Sequence, residues 1–374
     1  MQVGFEAKRL FTNFTGLGNY SRFVVNALSE YIPENKYILY SPKIRQHPEV
    51  DPILARANVQ AIGPAGGYRY LKSLWRSWGV SHHPGIKGID VFHGLSQELP
   101  MGLPKHIRKV VTVHDLIYIR YPQFYNPIDV AIYRAKAKAA CRAADQVIAI
   151  SQQTADDLVE FLKVDRRKIS IVYQGCHPSF KHKATVAEKY AVKAKYKLPD
   201  QFILNVGTIE ERKNVKLLVE ALAHLPESSK LPVVIIGRST DYMKQVQECA
   251  AKHDVAEYIT YIHNASFQDL PVLYQLASVF VYPSLFEGFG IPLIEAIESG
   301  IPIITSEGSC FHEAAGPDAL YTNPADAYQL ASLLDKVITD RSVREKVING
   351  SRNYIARFEP PVIAQALNEV YRAC

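Results

Sequence analysis

The 374-residue chain is poor in cysteine, and its few cysteines have no spacing that would let them act together. There are five, Cys141, Cys176, Cys249, Cys310 and Cys374, scattered, odd in number and without a CxxC step. That argues against a disulfide framework and a zinc knuckle, and leaves thiols that are reduced and mostly structural. No apolar run approaches the roughly 18 residues a membrane span requires. The first residues, MQVGFEAKRLF, hold only isolated apolar positions ahead of a charged pair, unlike a secretory leader. A cytoplasmic protein is expected. There is also no Asp-x-Asp step, so the usual carboxylate pair for a metal-held diphosphate is missing. Nor is the composition extreme: 48% hydrophobic and 21% charged residues exclude a disordered or fibrous chain.

What is present is the rhythm of an α/β protein. Short β-branched or apolar runs alternate with longer amphipathic stretches, which predicts βα units and a largely parallel sheet. The rhythm occurs twice. Strands are expected near 2–6, 37–42, 58–63, 91–94, 109–114, 146–150 and 169–174, then near 202–207, 232–237, 258–262, 278–283, 301–305 and 319–322. The lysine-rich segment between the two sets, without a strand pattern, places a linker with a short helix within 178–200. Two doubly wound domains follow, 1–180 and 190–358, and ligands of such sheets sit at the carboxyl ends of the strands, here expected to draw on both halves. Residues 1–180 carry 23 Lys and Arg against 14 Asp and Glu; the rest carries 20 against 23. Charge alone leaves nucleic acid, an anionic membrane surface, an anionic substrate or a merely solvated face open.

The chemistry-bearing residues cluster after predicted strands. Behind SVFVYPS come Glu287, Gly288, Phe289, Gly290, Ile291 and Pro292, glycines opening a helix whose first turn suits the proline. Backbone N–H groups there can face an anion. Leu293, Ala296 and Ile297 keep core spacing, which turns Glu295 to another face, suited to the vicinal hydroxyls of a ribose. Taken singly, each glutamate reads equally well as a solvated residue. After FILNV, the segment Gly207 to Asn214 puts Arg212 and Lys213 just before a helix, an unfavourable place for cations unless they face a diphosphate; Asn214 is expected to cap that helix. In the first half Gly16 and Gly18 lie in a loop before a helix, too far from the strand for a dinucleotide fingerprint. His114 and Asp115 end the strand KVVTV, and His93 is a weaker candidate of the same kind.

These residues resemble the glycosyltransferases of the GT-B fold, group 1 class, glycosyltransferase family 4. The most specific match is the E-x7-E motif, Glu287 and Glu295 within FEGFGIPLIEA, supported by VGTIEERKN, TGLGNY, VVTVHD, VIAIS and SEGSCFHEAAG over essentially the whole chain. The resemblance implies two Rossmann-like domains across a cleft, with a last helix, about 359–374, crossing back to the first. It implies a retaining transfer from a nucleotide-diphosphate sugar, GDP-mannose or a UDP-sugar, to a glycan or lipid-linked acceptor in surface polysaccharide synthesis, with no metal cofactor and no nucleic-acid partner. Glu295 would bind ribose and Glu287 the donor sugar. Arg212 and Lys213, with Gly207 before them, would hold the diphosphate, Gly16 and Gly18 would lie under the phosphates, and His114 would sit beside the sugar. Glu211 departs from the pattern, where many relatives carry proline.

For the acceptor, both tryptophans lie in YRYLKSLWRSWG. Leu71, Leu74, Trp75 and Trp78 keep one-face helical spacing beside Arg69, Lys72 and Arg76, which predicts a helix that either packs on its own domain or approaches the inner membrane face. The rival enzyme is a sugar-nucleotide epimerase of the same fold; a non-enzymatic rival is a two-domain sugar-binding protein.

Overall fold

In the computed structural model, which describes residues 1–373, a strand forms at each of the thirteen expected places. The chain divides into two compact units, one of Met1–Gly175 with the returning segment from Arg357 onward, the other of Cys176–Ala356.

The first unit is built on a seven-stranded parallel sheet of β1 (Gln2–Glu6), β2 (Lys36–Tyr40), β3 (Val59–Ile62), β4 (Val91–Gly94), β5 (Arg108–Val113), β6 (Gln146–Ala149) and β7 (Ile169–Ile171), in the order β3-β2-β1-β4-β5-β6-β7. The helix Pro360–Ala373 packs on the helix Gly16–Tyr31 of the same unit. It buries Ile363, Ala364, Leu367 and Tyr371, and its Asn368 accepts from Asn35 at 3.2 Å. Burial of each large aliphatic side chain stabilises by about 1.5–3 kcal/mol, enough to hold the returning segment.

The second unit carries a six-stranded parallel sheet of β8 (Ile203–Val206), β9 (Val233–Ile236), β10 (Ile259–Ile262), β11 (Val279–Tyr282), β12 (Ile303–Ser306) and β13 (Leu320–Thr322), in the order β10-β9-β8-β11-β12-β13. Its central strands are near-continuous apolar runs because helices cover both faces: all four residues of β11 are buried, and the one polar residue of β8, Asn205, donates to the Val281 carbonyl at 2.9 Å. The helix Val215–Ala223 inserts Val215, Leu218, Val219 and Leu222 at the expected spacing. Strand order reverses between β8 and β11, which opens a crevice at their carboxyl ends. The loops leaving those two strands are residues 207–214 and 283–290, the two segments in which the sequence concentrates charge and glycine.

Two expectations change. The stretch 178–200 lies inside the second unit: the chain passes between units at Gly175 and Cys176. Its helix, Val186–Tyr196, starts with a capping box of Thr185 and Glu188 and packs on the helix Leu270–Leu276, with Lys195 and Tyr196 both 2.6 Å from Asp269. Lys193 likewise pairs with Asp200, and Lys181 lies 3.9 Å from Glu298. The aromatic stretch 68–79 is also not one amphipathic helix but a short helix, Lys72–Ser77, between two 3-10 turns. One and a half turns cannot keep an i to i+7 stripe together. Trp75, only 2% exposed, joins the core beside Tyr40 and Phe92, while Leu71, Leu74 and Trp78 stay in solvent. Cys141, Cys176, Cys249 and Cys310 are buried free thiols; Cys374, and with it the end of the expected last helix, lies outside the described residues. Among the described residues no helix is long and apolar enough to cross a membrane.

Candidate active site

The centre of the second unit's crevice is a carboxylate gripped by two cations. Glu287, 8% exposed, accepts from Lys213 Nζ at 2.6 Å and from Tyr282 OH at 3.0 Å on Oε1, and its Oε2 lies 2.7 Å from Arg212 Nη1. Lys213 also donates to Tyr282 at 2.7 Å, and Arg212 Nη2 to Glu210 at 2.6 Å. Burial alone would raise the Glu287 pKa, but Lys213 and Arg212 together hold it at about 2. Arg212 loses by burial and gains more from Glu287 and Glu210, so its pKa is raised. Glu287 is therefore a carboxylate near neutrality.

The two loops are tied to each other. Leu285 N donates to the Arg212 carbonyl at 2.8 Å, and Arg212 Nη1 to the Phe286 carbonyl at 2.7 Å. A third segment, following β12, clamps the glycine loop: Ser309 Oγ lies 3.2 Å from Glu287 N, and Cys310 Sγ donates to the carbonyls of Glu287 and Phe289 at 3.2 and 2.9 Å. Gly290 has φ +111° and starts the helix Ile291–Glu298, with proline in its first turn. Leu293, Ala296 and Ile297 are buried as their spacing implies. Gly207 has φ +153°, a conformation that L side chains rarely adopt, and a Cβ there would meet the Lys213 stem at 3.8 Å. Asn214 does not cap with its side chain: it adopts the left-handed conformation that Asn tolerates, and its amide reaches the Pro324 carbonyl at 2.8 Å. The sequence alone does not single out Tyr282, Ser309 and Cys310 as site residues. Tyr282 sits at a strand's carboxyl end, a usable signal, but the Ser309–Cys310 clamp depends on a fold contact no local pattern encodes.

Glu295 is half-buried and accepts from the hydroxyl of the buried Tyr274 at 3.0 Å. Burial raises its pKa to about 7, with Tyr274 pulling the other way. Because the folded value lies above the ordinary one, its contribution to stability is complete below pH 4.5 and is lost as pH rises through 7. Glu295→Gln should therefore stabilise the free protein at pH 8 by on the order of 1–2 kcal/mol, after allowance for solvent screening, and by much less at pH 5. Urea melts at the two pH values check this; an equal effect at both would contradict it.

In the first unit, His114 is buried, Nε2 donates to the Leu95 carbonyl at 2.9 Å, and the ring meets Tyr20 edge-on. Burial lowers its pKa to about 4, so it is neutral. His93 is locked between Tyr371 OH, at 2.7 Å, and Thr112 Oγ1, at 2.8 Å. It ties β4 and β5 to the last helix, and burial pushes its pKa to about 3. The two expected loop glycines differ. Both lie in the first turn of the helix Gly16–Tyr31, but a Cβ on Gly18 would fall 1.7 Å from the Asn13 carbonyl, whereas one on Gly16 would meet nothing within 4 Å. Gly18 is thus needed for close backbone packing. Gly18→Ala is expected to cost about 3 kcal/mol or more, and Gly16→Ala none, since Ala favours a helix over Gly. Thermal unfolding of both variants measures this; equal melting temperatures would contradict it. Arg69 and Lys72 are exposed, and Arg76 pairs with Glu98.

Two doubly wound parallel sheets, each with its crevice at the carboxyl ends of the strands, are the architecture of the GT-B glycosyltransferases. The chain belongs to the glycosyltransferases of group 1 and family 4: the profile "Glycosyl transferases group 1" matches residues 187–354 and "Glycosyltransferase Family 4" residues 22–180. It is similar to the O-antigen chain mannosyltransferase RfbU of Salmonella typhimurium, at 29% identity over 69% of this chain and 67% of that one. It is likewise similar to the O-antigen chain mannosyltransferase B of Escherichia coli, at 27% identity over 92% of each. Among solved structures, Anabaena HepE in complex with UDP and glucose shares the fold, with a TM-score of 0.75, 16% identity and full coverage of both chains. The protein is a hexosyltransferase-type enzyme; the epimerase reading has no support.

Proposed function

We propose that the second unit holds a nucleotide-diphosphate sugar and that the enzyme transfers its hexosyl group, mannosyl first among candidates, to a glycan or lipid-linked acceptor, with retention and without a metal. The observation that carries this reading is the pair Arg212 and Lys213, held 2.7 and 2.6 Å from Glu287 where the strand order reverses. A carboxylate offers about four acceptor positions, and three are taken by Lys213, Tyr282 and Arg212, leaving one for a sugar hydroxyl. Glu287 then orients the sugar, and the cations face the leaving diphosphate. The acceptor oxygen attacks the anomeric carbon on the face the diphosphate leaves, and a diphosphate oxygen takes the acceptor proton. Glu295 receives the ribose hydroxyls. His114, being neutral, serves by hydrogen bonding only. Mannosyl donors are favoured because both curated relatives above are mannosyltransferases; GDP-mannose and UDP-sugars are the donors to try.

The test is product analysis with GDP-mannose and UDP-glucose in the presence of EDTA. Release of nucleoside diphosphate with an α-linked product by NMR supports the reading; a β-linked product overturns retention, and activity abolished by EDTA overturns metal independence.

Peripheral membrane contact is part of the same proposal, with altered residues. Trp75 is interior, so the surface rests on Tyr70, Leu71, Leu74 and Trp78, exposed beside Arg69 and Lys72, whose charge suits an anionic leaflet. Leu74→Asp with Trp78→Asp should lower pelleting with phosphatidylglycerol vesicles at least fivefold. Unchanged pelleting removes the membrane from the account.

A further inference from the structure

The first unit contains a cavity of about 480 Å³. It is bounded by residues 97–103 of the loop after β4, by the Lys72–Ser77 helix and by the Pro127–Ala143 helix. Leu99, Leu103, Ala139 and Ala143 give it a mainly apolar lining. Glu6, Glu98, Arg76 and Lys136 also line it.

Glu6 is the informative residue. It ends β1, next to the point where the first sheet reverses its strand order, and is only 4% exposed. Its one hydrogen bond, from Lys8 N, is long at 3.4 Å, and its nearest cation, Arg76 Nη1, lies 3.9 Å away. The other end of that guanidinium is engaged by Glu98, which Lys136 also approaches at 3.7 Å. Burial raises the Glu6 pKa, and Arg76 only partly offsets it. Most of the carboxyl's acceptor positions are unused by the protein and lie at the cavity wall, where a ligand can supply the donors. An apolar lining with one such group at its edge fits a molecule that is part hydroxylated and part aliphatic, and the volume is of the class that holds ligands of that size.

We propose that this cavity is an acceptor subsite for an amphiphilic glycoside, a sugar hydroxyl donating to Glu6 while aliphatic carbons lie along Leu103, Ala139 and Ala143. The word acceptor rests on the transferase reading; the binding itself does not.

The test is saturation-transfer NMR with octyl α-D-mannopyranoside below its micelle concentration, on wild type, Glu6→Gln and Ala139→Trp. Ala139 is exposed on its helix, so the indole fills the cavity without entering the core. Nucleoside diphosphate is titrated into the same samples. Saturation of both ring and chain protons in wild type, abolished by Ala139→Trp and weakened at least fivefold in affinity by Glu6→Gln with nucleotide affinity unchanged, supports the subsite. Absent saturation, or saturation indifferent to Ala139→Trp, overturns it. Binding indifferent to Glu6→Gln overturns it as well, reducing the cavity to a hydrocarbon cleft. Octyl mannoside binding without nucleotide binding in wild type would sink the donor reading and leave the cavity standing.

Discussion

Lys213→Met is expected to lower kcat for sugar transfer by about 10²- to 10³-fold, the loss typical when one preorganised donor to a developing negative charge is removed. Lys213 Nζ is held by Glu287 and Tyr282 at 2.6 and 2.7 Å, so its charge is in place before any donor arrives. Methionine keeps the stem and removes only the charge. Arg212→Lys should also be damaging, because one guanidinium simultaneously serves Glu287, Glu210 and the Phe286 carbonyl, and a lysine cannot reproduce the fork. Nucleoside diphosphate release measured at saturating donor checks both; a Lys213→Met enzyme with more than a third of wild-type kcat would remove Lys213 from the chemistry.

Glu287→Ala is expected to destabilise the free protein by about 3–5 kcal/mol, since two poorly exposed cations lose their common partner. The pH dependence has a definite sign. Glu287 titrates at about 2, below its ordinary value, so its contribution is present above pH 4.5 and is lost only as pH falls toward 2. The difference in stability between wild type and Glu287→Ala should therefore be flat from pH 5.5 to 8. A diphosphate can take the place of the missing carboxylate. Nucleoside diphosphate should then raise the melting temperature of Glu287→Ala at least as much as that of wild type, while transfer falls by about 10²-fold or more because nothing orients the sugar. A melting temperature unmoved by nucleotide in the variant alone would mean that Glu287 itself contacts the nucleotide.

Much of this organisation is legible in the chain. Parallel strands buried on both faces read as near-continuous apolar runs, so SVFVY and FILNV stand out without any tertiary information. The glycine, proline and glutamate pattern at 287–295 and the cations at 212 and 213 follow such strands directly. What the sequence does not display depends on contacts distant in the chain. Glu287 and Lys213 are 74 residues apart, and nothing local says that the expected phosphate ligands also neutralise the carboxylate expected to hold the sugar. The Ser309–Cys310 clamp is hidden for the same reason. A periodic stripe assumes a continuous helix, but the segment breaks into 3-10 turns on either side of Lys72–Ser77, so Trp75 alone of the four apolar positions packs on its own domain. Gly18 matched a phosphate-loop pattern, yet its lack of a side chain serves the approach of the Asn13 carbonyl.

Isothermal titration of GDP and UDP into wild type and into Arg212→Met/Lys213→Met tests the central claim most directly. At least one nucleotide should bind wild type with a micromolar Kd, at about −8 kcal/mol, and lose at least 100-fold in the double variant. Equal affinity in the two proteins would show that the nucleotide is held elsewhere, and would contradict the account.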